Sequence, residues 1–491
     1  MKKILLIHLP QIYNGKRRYA AWLPLGLAYI ASHLIKDGYQ VDILDIDVMM
    51  YTDEEVLSII QKKNFDCVGI SAMSPEFKYV KWISTHIKSK ANSPLIILGG
   101  ALAMHSSEIV LKNTKVDICV MGEGEIILPN ILKTIEKSNA DNYFEQLKTV
   151  KGITFMKNGI YIRTTNETQL KDIDSIELPA WNLFSIESYL KTPFFFEPEY
   201  PNSMNVITAR GCPWNCYFCS KTFNGVRLRS IDKIIEEISI LRKKYNVTQI
   251  QFAEELVMIS ESRMLELCGK IKPLNISWMC QGRVNCITPS LLKKMKEAGC
   301  VYVGYGIESG SQRILDNMNK KSTVELNKYA IQETLNAGMK PIVQMMFGYP
   351  GEDENSIKET REFCKSLHVE PTSGFAVTTP LPGTKLYEWA KEQGLISDEL
   401  NYLMGLEGVN DLYLNCTDFN NEEFIKKLRR LENDIRNDIN KYRLLHPRRM
   451  MEDIKTKFKM VYYATKKHGL KKTMKKAVQI IKNNPKIITS S

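Results

Sequence analysis

The chain has 491 residues, of which 44% are hydrophobic and 25% charged, a mixture typical of a soluble globular protein of about two to four domains. No apolar run approaches the roughly 20 residues that span a bilayer. The start, Met1-Lys-Lys-Ile-Leu-Leu-Ile-His, has too short an apolar stretch for a signal peptide. We therefore expect a cytoplasmic protein.

Residues 1–140 alternate short apolar strands with amphipathic helices. The predicted strands are "KKILLIHLP", "QVDILDID", "FDCVGISAM", "SPLIILGG" and "VDICVMGEG", and the helices include "PLGLAYIASHLIKDGY", "EEVLSIIQKK" and "EFKYVKWISTHIKSK". This alternation predicts a doubly wound parallel sheet with helices on both faces.

Small residues stand at the carboxyl ends of these strands, where such sheets bind ligands. Glycine there lets a large ligand approach the backbone, although it also turns the chain after a strand. The occurrence of such residues after three strands favours a ligand face, and its candidate residues are Ser71, Ser74, Gly99, Gly100, Gly122 and Glu123.

Residues 141–200 are predicted to be a connector, with a hairpin at Asn158-Gly159. In the region 201–416, strands and helices alternate again. The strands are "MNVITAR", "TQIQFAEE", "ISWMCQGR", "YVGYGIES", "KPIVQMMFGYP" and "GFAVTTP", and the helices are 230–244, 260–271, 289–297, 311–317, 354–367 and 384–392. Six such units predict a full or partial (β/α) barrel with its chemistry at the carboxyl ends of the strands.

The region 417–491 is predicted to be helical and basic. It holds 20 Lys and Arg against 8 Asp and Glu, so it carries the whole net charge of +12. One interpretation is a helix that packs an apolar stripe on the barrel. Another is a contact with an anionic membrane surface, since lysines alternate there with Val, Tyr and Ile. Nucleic acid is not expected as a partner, because no recognition motif accompanies the charge.

The segment "RGCPWNCYFCS" places Cys212, Cys216 and Cys219 within eight residues. Structural zinc sites usually show a second Cys or His pair, which this chain lacks. A redox pair of Cys216 and Cys219 would leave Cys212 without a role. An iron–sulfur cluster uses all three thiolates, and a four-iron cluster held by three cysteines leaves one iron open for a substrate.

The other eight of the eleven cysteines are scattered along the chain. An odd and mostly scattered set is not a disulfide framework of a secreted protein. We expect these residues to be buried apolar fillers.

The C-x3-C-x2-C spacing resembles that of the radical S-adenosylmethionine (SAM) superfamily, and the N-terminal half resembles the cobalamin-binding domain that precedes the radical core in one subgroup. The resembling segments run in order from residue 1 to about 392: "WLPLGLAYIASHL", "ILGG", "MGEGE", "LPAWNLF", "ITARGCPWNCYFC", "GRVN", "GIESGS", "GYPGE" and "PLPGT". The resemblance implies a 4Fe-4S cluster on Cys212, Cys216 and Cys219 that cleaves SAM to a 5′-deoxyadenosyl radical.

The resemblance also implies SAM contacts at strand ends. Backbone near Phe218 would touch the adenine. Glu254 or Glu255 would hold the SAM amino group, and Arg283 would hold the SAM carboxylate, which suits the guanidinium fork. Glu308 and Ser309 would lie on the strand that contacts the ribose and methionine. The alternative for these side chains is an ordinary salt bridge or a strand-end cap.

The first loop, "LPQIYNGKRRYAAWLPLG", departs from the Asp-x-His-x-x-Gly pattern that supplies a cobalt-ligating histidine in many cobalamin domains. Radical SAM relatives commonly lack this pattern as well. The resemblance therefore implies cobalamin bound without a protein histidine, with an empty domain as the alternative. His8 and His105 are expected to be structural or surface residues.

The leading hypothesis is a radical SAM enzyme that uses cobalamin to methylate an unactivated carbon. Its alternatives are non-methylating cyclisation or rearrangement and, from another class, an iron–sulfur electron carrier or sensor without turnover. A small molecule, lipid or peptide is the expected substrate, and a flavodoxin or ferredoxin the expected electron donor. The expected location is the cytoplasm, including its membrane surface if the basic tail binds lipid.

Overall fold

The computed structural model describes residues 2–13, 16–17, 22–89, 92–138, 143–167, 169–191, 202–223, 225–254, 257–407 and 412–446. Strands β1–β17 are, in chain order, Lys3–His8, Ile12–Tyr13, Lys16–Arg17, Gln40–Asp45, Cys67–Ser71, Leu95–Gly99, Ile118–Val120, Ile153–Lys157, Ile160–Arg163, Ser203–Val206, Ala209–Arg210, Arg227–Leu228, Gln249–Phe252, Ser277–Gly282, Cys300–Glu308, Lys340–Phe347 and Phe375–Val377.

Helices α1–α17 are Leu25–Lys36, Ile46–Met49, Asp53–Lys62, Phe77–Lys88, Ala101–Asn113, Gly124–Lys137, Tyr143–Leu147, Ile186–Lys191, Ile231–Tyr245, Glu261–Ile271, Pro289–Glu297, Gln312–Asn317, Val324–Asn336, Glu354–Leu367, Lys385–Glu392, Glu399–Gly405 and Asn421–Leu445. Among these, α13 is absent from the sequence predictions, which placed one helix after each barrel strand.

The N-terminal sheet has the strand order β4-β1-β5-β6-β7-β8-β9 in the described residues. The first five strands are parallel. In β1, Ile4 and Leu6 belong to one apolar core, and Leu5 and Ile7 belong to the core on the other face. A strand that is buried on both faces requires helices on both sides, so the doubly wound sheet is confirmed.

The hairpin predicted at Asn158-Gly159 forms, with positive φ angles of 50° and 78° that a tight two-residue turn requires. Its first strand, β8, pairs antiparallel with β7. The hairpin therefore extends the N-terminal sheet and is more than a connector.

The second sheet runs β10-β13-β14-β15-β16-β17, with every pair parallel. Within the described chain, β17 does not pair with β10, so the structure is a partial barrel. Six of its helices begin at side chains that cap the free amide groups of the first turn, and these caps are Ser230, Ser260, Thr288, Thr323, Asp353 and Thr384. Helix α12 begins at Ser311 without a side-chain cap.

Helix α17 covers the barrel beside α14. Its buried side chains are Phe424, Leu431, Ile435 and Ile439, and the Phe424 ring centroid lies 4.9 Å from that of Phe347 in an edge-on arrangement. The packing interpretation thus holds for the first helix of the basic tail, whereas residues 447–491 lie outside the described residues. No helix in the described ranges is long and apolar enough to cross a membrane.

Candidate active site

The three clustered cysteines lie in one loop, residues 211–226, which we call the cluster loop. It leaves the barrel after β10 and is closed at its base by the antiparallel pair β11–β12, in which Arg210 faces Arg227. Gly211 has φ +83°, and a Cβ there would collide with the Gly225 carbonyl oxygen. Glycine at this position lets the two ends of the loop approach each other closely.

Solvent access separates these thiols from most other cysteines of the chain. Cys212 and Cys216 are half-buried and Cys219 is exposed, whereas seven of the remaining eight are buried, and no disulfide joins any of them. Burial raises the pKa of Cys268 and Cys364 to about 12, so these thiols stay protonated fillers. The predicted distinction between ligands and fillers agrees with this pattern.

The cluster loop brings the thiols together without gathering them around one point. In the described ranges, no three Cys, His, Asp or Glu side chains are close enough to hold a metal ion. The backbone is nevertheless held, because Lys221 Nζ donates to the Cys212 carbonyl at 3.1 Å and to Asn215 Oδ1 at 2.6 Å. Three accessible thiols on one short, anchored loop fit a cluster, whose binding would draw the sulfurs together.

Phe218 lies against the barrel beside the thiols. Its ring packs near Ile314, Met318 and Leu386 and meets Tyr349 edge-on, with 6.5 Å between ring centroids. The backbone is also fixed at the preceding residue, where Tyr217 N donates a hydrogen bond to the Met318 carbonyl at 3.0 Å. The backbone predicted to face adenine is therefore held in place.

Glu254 follows β13 and is buried. Its Oε1 accepts hydrogen bonds from the Thr208 amide, at 3.0 Å, and from the Thr208 hydroxyl. The carboxylate thus joins the second barrel strand to the chain that enters the cluster loop. The predicted alternative at this position, Glu255, lies outside the described residues.

Arg283, at the end of β14, is buried against aromatic and backbone groups. Its guanidinium lies 3.7 Å from the centroid of the Trp214 ring, and Nη2 donates to the Lys320 carbonyl. Its Nε is buried and has no hydrogen-bond partner in the protein. A buried unpaired donor is costly unless a ligand satisfies it, so Arg283 fits the predicted contact with the SAM carboxylate.

Glu308 ends β15 in a left-handed conformation, φ +63°, beside a register shift between Gly306 and Glu308. Such a conformation costs about 1–3 kcal/mol and is concentrated at functional sites. Its Oε1 lies 2.6 Å from Lys320 Nζ, which in turn lies 5.7 Å from the Phe218 ring centroid. Lys320 therefore links Glu308, Phe218 and Arg283, although no local sequence pattern marks it.

Ser309 is engaged within the protein. Its hydroxyl lies 3.2 Å from Thr360 Oγ1 and accepts from the Ser311 amide at 3.1 Å. This arrangement is the strand-end cap that was the alternative to a SAM contact. The cap holds Ser309 beside Glu308 at the end of β15.

The candidate residues of the N-terminal sheet lie on one rim, formed by residues 71–74, 99–100 and 122–123. Ser71 pairs with Gly99 at the ends of β5 and β6. A Cβ added at Gly99 would have one neighbour within 4 Å, the Ile70 carbonyl oxygen at 4.0 Å. A Cβ added at Gly100 (φ +86°) would collide with the Ala72 carbonyl oxygen. Space above Gly99 fits a large flat ligand that approaches the backbone.

The carboxylate of Glu123, a predicted cobalamin contact, is hydrogen-bonded within the protein. Oε1 accepts from Arg210 Nη1 at 2.8 Å and Arg227 Nη1 at 2.9 Å, and Oε2 accepts from the Leu170 amide at 2.6 Å. Glu125 Oε1 accepts from Arg210 Nη2 at 2.5 Å. The "MGEGE" motif therefore contacts the base of the cluster loop, a contact that sequence reasoning missed.

His8 and His105, which were expected to be structural or surface residues, both make contacts within the protein. His8, at the end of β1, lies 2.9 Å from Asp45, which also accepts from the Tyr189 hydroxyl. Burial alone would lower the pKa of His8, but Asp45 raises it above the ordinary value. Burial lowers the pKa of His105, whose ring packs against Gly383 of the barrel.

Comparisons with known proteins agree with this geometry. The profile of the Radical SAM superfamily matches residues 206–364, and that of the B12 binding domain matches residues 14–132. The uncharacterized methyltransferase PH0819 of Pyrococcus horikoshii is 30% identical over 402 residues, which are 80% of this chain and 84% of that protein.

A second relative is the anaerobic magnesium-protoporphyrin IX monomethyl ester cyclase of Cereibacter sphaeroides, 28% identical over 412 residues. The match covers 82% of this chain and spans 65% of the cyclase. The fold resembles that of the radical SAM methyltransferase TsrM from Kitasatospora setae, solved with cobalamin and a 4Fe-4S cluster, with a TM-score of 0.64 at 16% identity over 81% of this chain and 79% of that one. The chain belongs to the radical SAM enzymes that carry a B12-binding domain, and its cofactors are a 4Fe-4S cluster, SAM and cobalamin.

Proposed function

We propose that this enzyme transfers a methyl group, by way of cobalamin, to an unactivated carbon of a small molecule, lipid or peptide. The observation that carries the proposal is the contact between the two ligand-binding regions. Glu125, beside the N-terminal rim, lies 2.5 Å from Arg210, two residues before the first cluster cysteine. A cofactor on that rim and a cluster in the loop would thus lie in neighbouring sites.

The barrel residues divide the work of holding SAM. Arg283 would pair its free Nε with the SAM carboxylate while Trp214 fixes the plane of the guanidinium. Lys320 holds Glu308 in place through the 2.6 Å ion pair. Glu254 supports the entry to the cluster loop, and Phe218 sets the adenine side.

When bound, the cluster supplies the electron that cleaves SAM to the hydrogen-abstracting 5′-deoxyadenosyl radical, and cobalamin carries the methyl group of a second SAM. This chain's residues must keep water out of the space where the substrate radical persists. Trp22 packs with Met279, Tyr302 and Ile342, which lie toward the starts of their strands, so it covers the barrel at the end opposite Arg283 and Glu308. Asn205 holds the adjacent Leu23 through a 3.0 Å bond from the Leu23 amide and a 2.9 Å bond to its carbonyl.

Non-methylating cyclisation is the second candidate, because one relative is a cyclase. Methyl-labelled SAM separates the two reactions when the reconstituted enzyme is incubated with candidate substrates under reducing conditions. The proposal predicts label in the product together with 5′-deoxyadenosine and S-adenosylhomocysteine. An unlabelled product would establish a non-methylating reaction: loss of hydrogen would indicate cyclisation, and an unchanged mass with a new structure would indicate rearrangement.

The reaction draws electrons from outside the chain, so we propose a flavodoxin or ferredoxin as donor.

The role of residues 447–491 stays a prediction, either packing on the barrel or contact with an anionic membrane surface. Vesicle flotation of the full chain and of a chain that ends at residue 445 distinguishes the two roles. If both proteins float with the vesicles to the same extent, the tail is not a membrane anchor.

A further inference from the structure

A compact group of four charged side chains joins the N-terminal domain to the base of the cluster loop. Glu123 and Glu125 come from the start of α6, next to the N-terminal rim, and Arg210 and Arg227 face each other in β11–β12. The four ion-pair distances between nitrogen and oxygen are 2.5–2.9 Å. We call this group the charge lock.

The charge lock is buried from solvent. The exposed fractions of the side chains are 8% for Arg210, 12% for Arg227, 4% for Glu123 and 6% for Glu125. Buried ion pairs lose their hydration, so they are weak contributors to stability compared with well-packed apolar groups of similar volume. Such a group is better suited to fixing one geometry than to adding net stability.

The lock holds both strands at the base of the loop at once. Arg210 bridges the two carboxylates, while Arg227 binds Glu123 and donates to the Leu170 carbonyl at 2.7 Å. Phe223 of the loop lies under both guanidinium groups, 5.9 Å from that of Arg210 and 5.0 Å from that of Arg227. The loop base therefore has little freedom to slide along the N-terminal rim.

We propose that Glu125, Glu123, Arg210 and Arg227 are positioning residues that set the cluster loop at a fixed distance from the N-terminal rim, and hence the cluster from cobalamin. This inference rests on the proposed function. The carboxylates and guanidinium groups of the lock bind one another, so the lock acts through the loop base and through the start of α6. It accounts for the placement of the "MGEGE" motif immediately after a ligand-binding strand.

A matched control exists inside the barrel domain. Glu237 and Arg229 form a buried ion pair at 2.6 Å with exposed fractions of 0% and 6%, and neither residue lies in the cluster loop or on the N-terminal rim. Glu237→Gln therefore removes a comparable buried charge that forms no ion pair with the charge lock. Both groups contact Tyr29, whose hydroxyl accepts from Arg229 Nη1 at 3.3 Å and whose ring centroid lies 5.6 Å from the Arg210 guanidinium. Any effect that comes only from reduced stability should be common to Glu237→Gln and Glu125→Gln.

The test is electron paramagnetic resonance of the full-length protein loaded with cluster and cob(II)alamin. A reduced cluster nearby speeds the spin relaxation of cob(II)alamin in a manner that depends steeply on distance. We expect Glu125→Gln and the charge-conserving Arg227→Lys to bind as much iron and cobalamin as the wild-type protein. In both variants, most of the enhancement of the cob(II)alamin relaxation rate should be lost. Glu237→Gln should keep it.

Full enhancement in both lock variants with both cofactors loaded would overturn the inference, as would an equal loss in Glu237→Gln. Arg227→Lys retains the positive charge, so it keeps the test decisive if Glu125→Gln folds poorly. A wild-type protein with a reduced cluster but no bound cobalamin would instead overturn the proposed function, which is a distinguishable failure.

Discussion

The N-terminal rim and the barrel rim, where Glu254, Arg283, Glu308 and Ser309 lie, both stand at the carboxyl ends of parallel strands but use polar side chains differently. On the N-terminal rim, the carboxylate of Glu123 is bound by arginines, and the space is made by glycine. On the barrel rim, the buried Nε of Arg283 has no hydrogen-bond partner within the protein. The first rim suits a large ligand recognised by shape, and the second a small charged ligand recognised by paired groups.

Removing a proposed cluster ligand should give the largest effect and should affect only the barrel site. We expect Cys219→Ala to abolish reductive cleavage of SAM, since two thiolates do not hold the cluster in its productive form. Cobalamin binding should persist because it depends on the other rim. Iron content, the cobalamin absorbance spectrum and 5′-deoxyadenosine release measure these outcomes.

The control for this change is Cys268→Ala, at a buried cysteine of α10. It should retain iron and cost about 1 kcal/mol of unfolding free energy. Loss of cobalamin from Cys219→Ala would show that the two rims are not separate sites.

Arg283→Gln should test recognition by charge. Loss of a charge-assisted hydrogen bond costs about 1.5–3 kcal/mol, which is about 10- to 150-fold in SAM affinity. Equilibrium binding of SAM to the cluster-loaded protein measures this change. Arg313→Gln, at an exposed arginine paired with Asp353, is the control and should bind SAM normally. Unchanged SAM affinity in Arg283→Gln would show that Arg283 does not bind SAM.

Gly99→Val should test recognition by shape. The protein itself leaves room for a side chain at Gly99, but a bound corrin would not. Overpacking of about 1–3 kcal/mol corresponds to about 5- to 150-fold weaker cobalamin binding. Gly269→Val, at an exposed open position of α10, should bind cobalamin as the parent does. Cobalamin titration followed by absorbance decides, and parental affinity in Gly99→Val would contradict the placement of the ligand.

Each region also has a glutamate whose pKa is raised to about 7 by desolvation: the half-buried Glu76 beside the N-terminal rim, and the buried Glu352 after β16. An exposed glutamate titrates near pH 4.3. Between these values the unfolded chain loses the proton while the folded chain keeps it, so stability falls as pH rises to about 7.

Glu76→Gln should therefore raise the unfolding free energy by up to about 3 kcal/mol at pH 8 and leave it unchanged near pH 4. Urea unfolding at both pH values measures the difference. An equal change at pH 4 and pH 8 would show that the substitution acts through packing and not through ionisation.

Much of the fold could be predicted because it depends on local patterns. Apolar strands and capped helices are short-range signals, and the helix predicted at 289–297 is α11 to the residue. Helix α13 was missed because its buried face includes Asn327 and Thr334 beside Ala330 and Ile331. Polar residues on the buried face blur the apolar stripe from which a helix is recognised.

A candidate site could be proposed from the sequence where its motif is contiguous, and contacts between distant segments could not. Three cysteines in one loop are visible in the sequence. Lys320 and the pairing of Arg210 with Glu125 are single charged residues in separate segments, and only the folded chain brings them together. No local pattern distinguishes such a residue from an ordinary surface charge.

The most direct test of the account is SAM cleavage by the anaerobically reconstituted protein. The account predicts about four irons per chain, bound cobalamin, and release of 5′-deoxyadenosine on addition of dithionite and SAM, with none released by Cys219→Ala. Failure of the wild-type protein to cleave SAM with its cluster fully loaded would contradict it.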